Sequence, residues 1–348
     1  MKKTIRRLGL PSALLLALLG STAAVAGVTD RYWVEEAGRT PAANAPQPAH
    51  FRALSLETAA MAAYLQQARA AGIAAEVSLP LPEGGFSDFM VIDSGTLPHE
   101  LQAKHPDILS FKGRDDKGRR LRLDVSPIGF QAMVFDDEGL WLVRPEVIAS
   151  GTDNYLSYRR GEASMPHGMG QCEVHSDESI TAHIDGLKRI DSGNAPMTQT
   201  GVNQRVYRVA VAANNQYVAA VGGGNAAGGL AAVTAAVNRV TEVYEYEMSI
   251  RLVLVPNNNL IIYPNAGSDP FASNDTGVIN NSTSVINAAI GAGNYDIGHV
   301  FTTGSGGVAG LGVVCGSSKA RGTTGLPNPI GDDFYIDFVA HEMGHQFR

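Results

Sequence analysis

From Val206 onward the chain switches repeatedly between two hydrophobic periods, and that switching restricts the fold more than any other feature. Val206 to Ala213 is an apolar strand. Ala226 to Glu247 follows, with Leu230, Val233, Val237, Val240 and Tyr244 at steps of three or four, the spacing of one helical face. Ile250 to Val255 is a second strand closed by Pro256, Thr276 to Ile290 a second helix, and Tyr295 to Phe301 a third strand. Val308 to Val314 is a Gly-punctuated fourth strand, and Asp332 or Asp333 caps a helix through the last residues. Such alternation predicts an α/β domain with a mostly parallel sheet covered by helices.

The region before it has a different pattern. Leu54 to Ala71 predicts a helix with Leu54, Met61, Leu65 and Ala68 on one face, stopped by Gly72. Phe86 to Ile92, Leu121 to Val125, Phe130 to Phe135 and Leu140 to Val143 read as short strands, the last two joined by a turn at Asp137-Glu138-Gly139. No catalytic residue types cluster here, which suits a small α+β domain with a packing role. Gly161 to Gly201 is polar and carries Cys172, as an interdomain segment would. The organisation read from the chain is 1–26 signal, 27–53 linker, 54–160 first domain, 161–203 interdomain segment and 204–348 second domain.

The signal rests on a basic start (Lys2, Lys3, Arg6, Arg7), an apolar run from Leu10 to Leu19 and the small residues Ala24-Val25-Ala26. That run is too short to span a membrane, and no later run approaches the roughly 18 residues needed. The chain is therefore expected to be secreted and not membrane-bound once the signal is removed. Its 27 basic residues less those four leave 23 against 34 acidic ones, a net charge of −11. Phosphate backbones attract basic proteins, so nucleic acid is excluded as a partner. Two cysteines exclude a disulfide-dense scaffold and a four-cysteine zinc module.

The chemistry lies in His341-Glu342-Met343-Gly344-His345. On a helix, positions i and i+4 share a face, so His341 and His345 can address one zinc ion. Glu342, beside the first ligand, can act as general base on a water at that ion. This is the H-E-x-x-H pattern of zinc peptidases. Gly222-Gly223-Gly224-Asn225-Ala226-Ala227 fits a dinucleotide-loop spacing, but the preceding strand ends too far upstream, so it reads as a helix-entry loop. His167, Cys172 and His175 could make a second metal cluster, but lone histidines in polar loops are ordinarily solvated, and that is the reading taken for the two histidines.

The runs "NRVTEVYE" from Asn238, "NYDIGHVF" from Asn294, "GGVAGLGVVC" from Gly306 and "DFVAHEMGHQF" from Asp337 resemble the catalytic domain of bacterial reprolysin-like (adamalysin-type) metzincins. Leu54 to Tyr158, with "LDVSPIGFQAMV" from Leu123, resembles the prosegment of the same secreted proenzymes. The resemblance implies a zinc-dependent endopeptidase acting on protein or peptide substrates and inhibited by its own prosegment. It also implies that Val308, Ala309, Gly310 and Leu311 belong to an antiparallel edge strand that pairs with extended substrate.

The family pattern continues to a Gly, a third His and a Met-containing turn. Arg348 stands at the Gly position and the sequence stops there, so it reads as a proenzyme cut off inside its active-site helix and inactive as it stands. In the family, Cys172 would be a latency ligand to zinc. A disulfide with Cys315 or a free thiol are the other readings, and the family partner of a cysteine like Cys315 lies beyond the active-site helix. The alternative of another class is a secreted pseudopeptidase or protein-binding module that keeps the edge strand without turnover.

Overall fold

The computed structural model describes residues 29–43, 45–148, 152–162, 172–175, 203–331 and 333–347. The signal, His167, Asp332, Arg348 and most of 161–203 lie outside them. The described residues form a mixed α/β fold with two sheets, one of them large and antiparallel.

The first sheet has nine strands: β1 (Trp33–Glu35), β2 (Arg52–Leu56), β3 (Ala75–Pro80), β4 (Phe86–Asp93), β5 (Leu109–Arg114), β6 (Arg120–Ser126), β7 (Gly129–Asp136), β8 (Gly139–Pro145) and β9 (Asn154–Arg159). They lie in the order β1-β2-β9-β8-β7-β6-β5-β4-β3, and each neighbouring pair is antiparallel. Four of these were legible as strands, and five more enlarge the small domain expected. Leu54 is a correction: it sits in β2, opposite Glu35 and Tyr155, and helix α1 begins only at Thr58 and runs to Ala71. Leu54 and Leu56 enter the core with the period of a strand, although Leu54 also fits the phase of the helix that follows. Gly72 ends α1 in the left-handed conformation, with φ 66°, and the short α2 (His99–Lys104) lies between β4 and β5.

In β6 the alternation separates two chemistries. Leu121, Leu123 and Val125 join the core with Met61 and Leu65 of α1. Arg120, Arg122 and Asp124 point to the opposite face, which the second half of the chain covers.

The second sheet orders β10 (Cys172–His175), β14 (Gly306–Gly310), β15 (Gly322–Gly325), β13 (Ile297–Thr302), β11 (Arg205–Ala213) and β12 (Ile250–Leu254). β11 pairs parallel with β12 and β13, β13 parallel with β15, and β14 antiparallel with β15. On one face Val209, Val211, Leu252 and Phe301 pack with α3 (Asn215–Val221), α4 (Ala226–Met248) and α6 (Ala340–Phe347). On the other, Ala210, Ala212 and Val300 pack with Ile286 and Ile290 of α5 (Ser282–Ile290). Most of α4 is buried all round, as expected of a helix between two sheets.

Three expectations change here. The helix read from Thr276 is a 3₁₀ turn, Thr276–Asn280, followed by α5. The strand read from Val308 to Val314 ends at Gly310, because the chain turns through Gly312 at φ 61°. The final helix is π-helical over Asp333–Val339 before it becomes α6.

Candidate metal and peptide site

α6 carries His341, Glu342 and His345. Met343 faces the core, His341 is exposed and Glu342 is buried. The two imidazoles meet edge to face with their Nε2 atoms 3.1 Å apart. Two nitrogens each about 2.0–2.1 Å from one tetrahedral ion would stand about 3.3–3.4 Å apart, so this pair fits a shared zinc. The structure brings the two imidazoles together as the sequence spacing required. Among the described residues no three His, Cys, Asp or Glu side chains group around a single metal position.

Glu342 lies against β14. A Cβ built on Gly307 would collide with the Glu342 carboxylate, so the strand can pass the carboxylate this closely only because that position is Gly. Gly307 lines the candidate site and is not singled out by the sequence, where the Gly306-Gly307 pair entering the strand is its signal. Val308 and Ala309 follow within β14 and are buried, Gly310 ends it, and Leu311 lies just beyond.

β14 is not the outermost strand of its sheet. β10 lies outside it in parallel, with Cys172 opposite Gly307, Glu173 opposite Val308, Val174 opposite Ala309 and His175 opposite Gly310. The expected edge strand is therefore covered by the chain's own residues. The strand carrying Cys172 is brought to the same edge as Glu342. Cys315, by contrast, is a free and exposed thiol held at φ 64°.

The helix is fixed at both ends by groups the sequence did not reveal. The Tyr244 hydroxyl on α4 donates to the Ala340 carbonyl at 2.7 Å, just before His341. Burial pushes the Tyr244 phenol well above its ordinary pKa, so it remains a donor at any working pH. In the sequence Tyr244 is one step of a helical face and carries no sign of this contact. At the other end, the Gln346 amide donates to the Gly298 carbonyl at 2.8 Å, which leaves its oxygen to accept from His299 Nδ1 at 2.8 Å. The Thr324 hydroxyl then donates to His299 Nε2 at 2.8 Å. Burial pushes His299 down to about 4, against a favourable contribution from Gln346, so the ring is neutral. Arg160 Nε donates to Asp333 at 2.9 Å, and its guanidinium also engages Asp337, both in the π-helical approach.

The glycine loop behaves as a helix entry. Asn225 caps α4 by accepting from Gly228 N–H at 2.9 Å, and α3 separates the loop from β11.

Comparison with known families covers the segment that contains this geometry. Residues 203–348 match the model of metallopeptidase family M12B, reprolysin-like. This part of the chain is a reprolysin-like metzincin domain. No curated protein matches the chain. The M12B metallopeptidases are zinc-dependent, and membership of a peptidase family implies protein or peptide substrates.

Proposed function

We propose that the protein is a secreted zinc metalloendopeptidase precursor whose reacting groups sit between α6 and β14. One observation carries the reading: paired Nε2 atoms 3.1 Å apart on α6, beside a Glu342 carboxylate seated against Gly307 of β14. His341 and His345 would hold the metal as neutral imidazoles. Zinc there would supply the Lewis acid that activates water near neutral pH and polarises a peptide carbonyl.

The chain's own groups do the rest. Glu342 takes a proton from the attacking water and passes it to the departing amide nitrogen. β14 offers main-chain groups that fix an extended substrate by strand addition. Tyr244 and Gln346 keep the helix from rotating, so that the two histidines and Glu342 hold a fixed relation to the strand. The β10–β14 pairing supports latency, because a substrate strand and residues 172–175 compete for one edge. The prosegment, expected at 54–160, extends over residues 29–162 in this reading, because β1 and the start of β2, within the expected 27–53 linker, pair into its sheet; the basic and apolar start is the export signal.

The test is peptide hydrolysis with zinc by an activated form that supplies the family's third His ligand, with Glu342 intact and as Glu342→Gln. Turnover should fall by about 10²–10⁴-fold in the variant while zinc binding persists. Equal turnover in both forms would reassign the base. Binding of extended peptides with no turnover in either form would favour the peptide-binding module.

A further inference from the structure

The face of the first sheet opposite α1 is a built surface and not leftover exterior. Arg122 is fully buried there, donating to Glu242 Oε2 at 2.6 Å and to Glu245 Oε2 at 2.6 Å. Arg120 donates to Glu242 Oε1 at 2.7 Å, and Lys112 reaches Glu245 at 3.5 Å. One pair has the opposite polarity, Asp124 of β6 with Arg239 of α4. Cationic strand residues thus meet an anionic turn of α4, with a reversed pair that fixes the register.

Apolar and backbone contacts continue the same seam. Leu97, Leu101, Ile108 and Ile128 are buried in the core beneath α4, among residues of the reprolysin-like domain. Leu254 N–H of β12 donates to the Thr96 carbonyl at 2.9 Å. Asn238 in the middle of α4 donates to Asp124 and receives the Thr96 hydroxyl. None of these groups is on β14.

We infer that residues 29–162 are a self-contained partner for the α4–β12 surface, and that they stay docked on the reprolysin-like domain after the connecting chain is cut. Charge complementarity selects the partner and the four apolar side chains hold it. Excision of the connection alone would then give a two-piece protein. The inference rests on contacts at the seam and not on the peptidase reading, and its test measures association, so the two can fail separately.

A site-specific protease sequence is inserted between Glu162 and Gln171 of the full chain, which is cut under native conditions and run on a sizing column. The pieces should co-elute one to one, and their dissociation constant should rise at least about tenfold on the double reversal Lys112→Glu, Arg120→Glu. Separation of the pieces on the native column would overturn the inference. An unchanged dissociation constant in the reversed form would remove the charged seam. Should that variant not fold, a salt series on the unaltered cut chain reads the same property: weakening with salt supports the seam, and a flat profile contradicts it.

Discussion

His299 carries a proton balance that the stability of the protein should report. Its folded pKa is about 4 against an ordinary 6.5, so below pH 6.5 the unfolded chain takes up a proton that the folded chain refuses. The stability it contributes is complete above pH 6.5 and is lost as pH falls towards 4, by about 3 kcal/mol in all. Denaturant unfolding at several pH values should show this loss, and His299→Gln should flatten it; identical slopes in the two proteins would contradict the assignment. Gly307→Ala is a second case at this scale. The added methyl has to displace the Glu342 carboxylate, so turnover of a form that supplies the third His ligand should fall by at least about tenfold while secondary structure, read by circular dichroism, is kept. Unchanged turnover would show that the carboxylate tolerates the shift. The His341–Glu342–His345 spacing was readable because a helix brings i and i+4 together without help from the rest of the fold. Gly307 and Gln346 were not, because their partners lie 35 and 47 residues away and only the folded sheet joins them.

At the scale of elements, the metal-bearing helix depends on what holds its start. Asp333–Val339 winds as a π-helix, and the change to α6 occurs where Tyr244 reaches the Ala340 carbonyl. A π-helix carries more residues per turn than an α-helix, so relaxation of this stretch would turn the histidines relative to β14. Tyr244→Phe removes only the hydroxyl and should cost about 1 kcal/mol in urea unfolding. It should also weaken zinc binding, and unchanged affinity would show that the start of the helix needs no such pin. The sequence reads the approach as ordinary helix because Phe334, Ile336, Phe338 and Val339 carry no signature separating π from α winding. β15 escaped notice for a related reason. Its Gly-Thr-Thr-Gly run has no apolar period, and it is a strand only because β13 and β14 supply partners on both sides.

At the scale of the whole molecule, the described residues form two sheets joined across one buried helix, and the acid sensitivity that adds to that of His299 at lower pH should originate at that junction. Burial works against the charged form of Glu245, but Arg122, Arg251 and Lys112 together outweigh it and hold its carboxyl below the ordinary value. Stability from this group is present above the ordinary carboxylate pKa of 4.5 and is lost as pH falls through the lowered folded value. Arg122→Ala, which leaves Glu242 and Glu245 facing a buried gap, should cost about 3–5 kcal/mol of stability in denaturant unfolding. A loss below 1 kcal/mol would mean that water already shares the seam. The alternation of strands and helices after Val206 made the second half legible, since each element declares its own period. The seam was hidden because Arg-Leu-Arg-Leu-Asp reads as a strand with one wet face, and only α4 makes that face dry.

The central claim is that His341 and His345 form one metal position served by Glu342. Zinc content after equilibrium dialysis of the full chain, set beside His341→Ala, His345→Ala and Glu342→Gln, tests it most directly. The account predicts zinc retained by the unaltered chain and by Glu342→Gln, and lost from either histidine variant. Equal zinc content in all four proteins would contradict it.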